Sequence, residues 1–186
     1  MKELVVLLEE PSIREMLEVI VPKVAPDVCL RCILFQGKQD LEKNITKKLR
    51  SYQNPNAKFL VVRDQDSGDC GTVKQRILQK CNESGKSSYK VRIMCHELET
   101  VYLADLQAVE SGLKIKNVAT LQEKNPYRHP DVLANPKQKL KSLAIQHKVS
   151  YQDIAGSRAI APFLDINNTR SLCFKNLVSA IRELTK

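Results

Sequence analysis

Three stretches of the chain bring acidic side chains close together: Glu9 with Glu10, Asp64 with Asp66, and Glu97 with Glu99. Carboxylates crowded onto one spot repel, and the repulsion raises their pKa values unless a cation lies among them. A converging set therefore favours a hard ion that takes oxygen ligands, and Mg2+ or Mn2+ is the natural choice. Such an ion polarises a phosphoryl oxygen and activates water, which is the chemistry of phosphodiester cleavage. Residues two apart across a tight turn can aim at one ion together, whereas a lone acid at the start of a helix more often caps it. Candidate ligands on this reading are Glu9, Glu10, Asp64, Asp66 and Glu99. Glu97 and Glu99 are also acids of a first helical turn, where they complement the macrodipole, so the more inward of the two is the one to face an ion. Asp69 reads as a helix cap as readily as a ligand.

For those acids to meet, the chain must carry them to one edge. The first hundred residues alternate short β-rich runs with amphipathic segments, the pattern of an α/β domain with a mostly parallel sheet. Strands are expected over 4–8, 28–35, 58–63 and 89–94. Ser12 as N-cap, with Glu15 three residues on, reads as a capping box opening the first helix. Leu41, Ile45 and Leu49 mark a second helix, Val73, Ile77 and Leu78 a third, and Leu98, Tyr102, Leu106 and Val109 a fourth that ends at Gly112. Strand–helix units joined by right-handed crossovers make a doubly wound, four-stranded sheet with helices on both faces. Sites in such sheets assemble outside the carboxyl ends of the strands. Glu9 and Glu10 follow strand one, Asp64 and Asp66 strand three, and Glu97 and Glu99 strand four. Residues 1–112 are expected to form this α/β core. Residues 113–186, with prolines at 126, 130 and 136 and helical patterns over 137–147, 150–154 and 171–184, form a basic helical C-terminal extension packed on it.

The chain has 186 residues, with 30 Lys and Arg against 21 Asp and Glu for a net charge of +9. The excess is uneven, because residues 1–100 hold 17 basic and 14 acidic side chains while residues 101–186 hold 13 and 7. An acidic centre beside a basic flank suits a polyanion such as nucleic acid. Trp is absent and the Tyr and Phe are scattered, which argues against a single-strand binder built on stacked aromatics. No apolar run nears the roughly 20 residues of a membrane span, and Glu9 and Glu10 cut short the apolar start that a signal peptide needs. A cytoplasmic protein with reduced thiols and no membrane partner is expected. Six cysteines make no zinc pattern: Cys29 and Cys32 have ligand spacing, but Cys70, Cys81, Cys95 and Cys173 form no matching pair, and neither His129 nor His147 sits in a doublet. Cys29 and Cys32 are expected in a buried strand, as small hydrophobes.

Other readings of the acids fit less well. From Asp64 onward, Gly68 falls fifth rather than sixth and Gln75 stands where a calcium EF-hand needs Glu. A receiver domain would want a lone phosphorylatable Asp after strand three and a lysine after a fifth strand. Gly37-Lys38 lacks the glycine spacing of a P-loop.

Leu7-Leu8-Glu9-Glu10-Pro11-Ser12 and Arg63-Asp64-Gln65-Asp66-Ser67-Gly68 together resemble the Toprim domain, the catalytic module shared by topoisomerases, primases and overcoming-lysogenization-defect nucleases. The stretches Cys95 to Asp105 and Gly156 to Asp165 resemble the signatures of a small bacterial Toprim-like family of unknown function from defence loci. The four motifs span nearly the whole chain. The resemblance implies a Toprim-like fold, with Glu9 as the Toprim glutamate, a ligand or general acid/base, and with Asp64 and Asp66 as the metal-binding Asp-x-Asp. Glu97 or Glu99 matches the extra acid of the nuclease branch. Many Toprim domains carry Gly directly after the glutamate; here Glu10 stands, and it either joins the metal site or narrows it. Arg158, in a loop that could return to the same edge, either clamps a phosphate bidentately or ties the C-terminal helices to the sheet through an ion pair. The expected function is a Mg2+- or Mn2+-dependent nuclease with Glu9, Asp64, Asp66, Glu97 and Arg158 in catalysis, acting on DNA ahead of RNA. Relatives encoded beside ATPase genes imply an ATPase partner and a role in anti-phage defence. The alternative is a catalytically weak regulatory or adaptor subunit of an ATPase complex, and a homo-oligomer is left open.

Overall fold

Alternation of apolar side chains decides the sheet. Strand β1 (Lys2–Leu8) turns Leu4, Val6 and Leu8 to one face and Val5 and Leu7 to the other, and all five are fully buried. A strand covered on both faces belongs in the middle of a parallel sheet. The order is β2–β1–β3–β4, with β2 (Val28–Leu34), β3 (Ala57–Asp64) and β4 (Tyr89–Met94), and every pairing is parallel. The computed structural model describes residues 2–65 and 68–186; Met1, Asp66 and Ser67 lie outside the described residues.

Helices α2 (Lys38–Arg50) and α3 (Cys70–Glu83) cover one face, where Leu41, Ile45, Leu49, Val73 and Ile77 pack on Val5, Leu7, Phe59 and Val61. The other face is covered by α1 (Pro11–Val24) and α8 (Leu172–Thr185). Beyond them sit α4 (Glu99–Leu103), α5 (Leu106–Leu113), α6 (Pro136–Gln146) and α7 (Asp153–Ile160), whose apolar residues join the same core. The fold is α/β, as expected. Strand β1 leads into α1 on one face and β3 into α3 on the other, so the chain changes sides between two adjacent strands. That switch is where an open α/β sheet forms a crevice at its carboxyl edge. The register, with Leu8 beside Val62, places the residues that follow β1 next to those that end β3.

Helix α5 meets α7 backbone to backbone. A Cβ on Gly112 would lie 2.5 Å from the Ala159 carbonyl oxygen and 2.6 Å from Ile160 Cα, a space that admits only glycine.

Four expectations are corrected. The first helix starts at Pro11 with Glu10 in the N-cap position, because proline is preorganised for N1. Ser12 therefore lies inside the helix and donates to Glu10 Oε1 at 2.9 Å, and no capping box forms. The fourth helix is two, since the Asp105 carboxylate accepts the Ala108 N–H at 3.0 Å and starts α5 anew. Strand β2 is an edge, so Cys29 and Cys32 are half-buried. Cys95 and Cys173, 78 residues apart, are joined in a disulfide where α8 docks beside β4. Spacing along the chain carries no trace of that docking. Among the described residues, no helix is long and apolar enough to cross a membrane.

Candidate metal centre

Asp64 closes β3 at the crevice and is 9% exposed. Burial, then the nearby carboxylates of Glu10, Glu99 and Glu9, push its carboxyl well above the usual carboxylate range, with Lys137 pulling the other way. Its Oδ1 is buried without a hydrogen-bond partner. Three acids from two other segments thus act on Asp64, as repulsion among neighbouring carboxylates requires.

Glu99, in the first turn of α4, is fully buried. Burial raises its carboxyl to about 7 despite the attraction of Lys137 and the hydrogen bond that the Tyr151 hydroxyl donates to Oε1 at 3.0 Å. Its Oε2 is a second buried oxygen with no partner. Lys137 lies in the first turn of α6, and its ammonium is 3.2 Å from Asp153. Burial works against that charge, but Glu99, Asp153 and Glu10 hold it protonated.

Arg63 precedes Asp64 and is 4% exposed, with its guanidinium 2.8 Å from Glu42 and 3.6 Å from Glu9. Arg76 reaches the same Glu42 at 2.7 Å. Arg63, Glu42 and Arg76, together with Lys38, Gln65 and Thr72, line a hollow of about 490 Å³ between the starts of α2 and α3. Gln65 ties the two flanking loops together, accepting the His96 N–H and donating to the Gly68 carbonyl at 3.0 Å.

The other candidates are placed differently. Glu97 turns to the start of α6, where its Oε2 accepts the Lys137 backbone N–H at 3.0 Å. Asp69 caps α3 through the Thr72 N–H at 2.7 Å. Arg158 makes a bidentate pair with Glu15 of α1, at 2.6 and 3.1 Å, on the face of α7 that packs against α1. Asp66 lies outside the described residues.

An all-oxygen donor set with two orphaned buried oxygens fits a hard divalent cation, since the ion supplies the charge and coordination those oxygens lack. Asp64, Glu10, Glu99 and Glu9 are the residues that could hold it. Among the described residues, the three ligand-bearing side chains whose ligand atoms all lie within 4.8 Å of one another are a separate set, Cys95, Asp131 and Cys173.

Over residues 8–182 the chain matches the family described as a domain of unknown function, DUF4276. The chain belongs to DUF4276. Among solved structures, the C-terminal region of the Burkholderia pseudomallei OLD protein is similar, with a TM-score of 0.54 and 14% identity over 98% of this chain and 98% of that one. At that identity the likeness shows the fold alone, and it is the parallel α/β fold expected. No curated protein matches.

In this DUF4276 chain the two later motifs pack against each other. The hydroxyls of Tyr102 and Ser157 are 2.5 Å apart, and Asp105 accepts the Asp165 N–H at 3.0 Å. Gly156 lets the Tyr151 ring lie where its own Cβ would stand, 2.2 Å from Tyr151 Cε2. Tyr151 in turn holds Glu99. Arg63, Lys137 and Tyr151 were not singled out by sequence reasoning. Arg63 alone left a signal, a charge at the end of the otherwise apolar run Phe59 to Val62.

Proposed function

We propose that this DUF4276 protein is a metal-dependent nuclease of Toprim type that cleaves nucleic-acid phosphodiesters, DNA ahead of RNA. The observation that carries the reading is Asp64: a buried carboxyl with an unpartnered oxygen, pressed by Glu9, Glu10 and Glu99 at the switch point of the sheet. Asp64, Glu10 and Glu99 would hold Mg2+ or Mn2+, with Glu9 at the rim and Asp66 completing the Asp-x-Asp pair. When bound, such an ion polarises a phosphoryl oxygen and lowers the pKa of water.

The chain's own groups do the rest. Lys137 balances the negative ring and holds Glu99 in place electrostatically. Lys38, Arg63 and Arg76 give the neighbouring hollow cations for a backbone phosphate. The exposed Lys114, Lys116, Lys124, Arg128 and Lys148 attract the polyanion at longer range. Glu97 and Arg158 act as positioning residues, one fixing the start of α6 and the other bracing α7 on α1. On this reading residues 1–112 carry most of the acids, and the extension over 113–186 braces them. The setting is cytoplasmic, in anti-phage defence with an ATPase partner.

The test is incubation of purified protein with supercoiled plasmid and with RNA, in Mg2+, Mn2+ or EDTA. Cleavage that requires the ion and disappears in Asp64→Ala is expected. Equal behaviour of the wild type and that variant would overturn the reading. One observation favours a second reading as an ATPase-dependent subunit: Arg63 already pairs with Glu9, and Ser12 already holds Glu10. Activity that appears only after co-purification with the ATPase would establish it.

A further inference from the structure

We propose that Cys95, Cys173 and Asp131 form a second cation site, selective for a borderline-soft divalent ion such as Zn2+, which is available when the Cys95–Cys173 bond is reduced. The two sulfurs and a carboxylate oxygen of Asp131 lie within 4.8 Å of one another. Around a tetrahedral Zn2+, with bonds of roughly 2.0–2.3 Å, ligand atoms stand about 3.5–4 Å apart, so reduction must first let the two bonded sulfurs part to that spacing.

Each ligand comes from a separately anchored segment. Cys95 directly follows β4, Cys173 lies in the first turn of α8, and Asp131 belongs to the short 3-10 turn Pro130–Val132. Neighbouring hydrogen bonds orient them, as such bonds orient the ligands of bound metals. The Asp131 carboxylate accepts the Ser171 hydroxyl and the Leu172 N–H, both at 2.6 Å, and the Cys95 N–H points at Cys173 Sγ at 3.1 Å. A hollow of about 310 Å³, lined by Cys95, Cys173, Cys70 and Asn176 among others, gives an entry path and room for a water as fourth ligand.

Thiolates select Zn2+ over Mg2+, whereas an all-carboxylate ring prefers the harder ion. The two sites would therefore sort two metals on one chain. Disulfide and metal exclude each other. Reduction breaks the sulfur–sulfur bond with two electrons and two protons from an external dithiol, which closes to its own disulfide. The incoming ion then displaces both thiol protons. Cytoplasmic reductants keep most such pairs in the dithiol form.

Co2+ is the probe. Dithiothreitol-reduced protein, freed of reductant without air, should show six titratable thiols on denaturation, develop sulfur-to-cobalt charge-transfer absorption in the near ultraviolet that saturates at one sulfur-bound Co2+ per chain, and lose that band to equimolar Zn2+ but not to excess Mg2+. The diamide-oxidised chain should show four thiols, matching the cysteines outside the disulfide, and no band. Cys95→Ser and Cys173→Ser should each remove or strongly weaken the band, and Asp131→Asn should lower Co2+ affinity at least tenfold, with circular dichroism confirming that α8 still folds. Asp64→Ala should leave the band intact, which separates this site from the acidic ring. No charge-transfer band with six free thiols, or a band unchanged in both serine variants, would overturn the proposal.

Discussion

Replacing Glu99 with Gln converts the electrostatics of the acidic ring into a stability measurement. Burial lifts the Glu99 carboxyl from an ordinary 4.5 to about 7. The folded chain therefore holds a proton there across a pH range in which the unfolded chain has lost it. A group whose folded pKa lies above its unfolded value stabilises fully below the unfolded pKa, and that contribution is lost as pH rises through the folded one. For Glu99 the window runs from 4.5 to about 7, and at roughly 1.4 kcal/mol per decade the loss reaches about 3 kcal/mol.

Glutamine retains an oxygen for the Tyr151 hydroxyl and carries no charge to bury. In EDTA at pH 8, Glu99→Gln should exceed the wild type by up to about 3 kcal/mol. That figure already includes the attraction of Lys137, which keeps Asp153 at 3.2 Å in the variant. At pH 5 the two proteins should nearly coincide. Urea unfolding at both pH values reads the difference directly, and thermal melts should show roughly 2–4 °C per kcal/mol for a chain of this size. Adding Mn2+ at pH 8 should then stabilise the wild type more than the variant. A variant no more stable than the wild type at pH 8, or equally favoured at pH 5, would refute the claim that burial outweighs the attraction of Lys137 at Glu99.

Asp64→Asn should also stabilise the metal-free protein at neutral pH, because the new amide donates into a ring of acceptors, while abolishing the Mn2+-induced rise in melting temperature; differential scanning fluorimetry with and without Mn2+ checks both. Gly112→Ala should cost about 1–3 kcal/mol, since its methyl would meet the α7 backbone at 2.5 Å, and urea midpoints measure it. Arg158→Gln should lower the melting temperature slightly, more at low salt than at high, and should leave ion-dependent plasmid cleavage at wild-type level if Arg158 acts only through Glu15.

The α/β class and most elements were legible because their signals are local. Leu4 to Leu8 reads as an apolar strand, and Leu41, Ile45 and Leu49 recur at helical spacing, so both periods report burial directly. Glu9, Glu10 and Asp64 could be placed on one edge because β–α alternation fixes where strands end. What the pattern missed was set by distant parts of the chain. Asp105 breaks a continuous helical pattern because its carboxylate serves Ala108 and Asp165 at once. Cys95 finds Cys173 only because α8 returns to β4. Ser12 and Glu15 match a capping box in type and spacing, yet Pro11 starts the helix early and frees Glu15 to meet Arg158, 143 residues away.

The same distinction explains how the acids are held. Glu9, Glu10 and Asp64 come from two adjacent parallel strands, so sheet register alone brings them together. Glu99 depends on the C-terminal extension: Tyr151 supplies its hydrogen bond, Lys137 its counter-charge, and Gly156 the space that Tyr151 occupies. Glu97 reinforces this by fastening the start of α6, which carries Lys137. A site built this way is incomplete without residues 137–156. The motif around Gly156 therefore has a physical reason to accompany the acidic motifs while contributing no ligand: it fixes the wall against which the most buried acid of the ring rests.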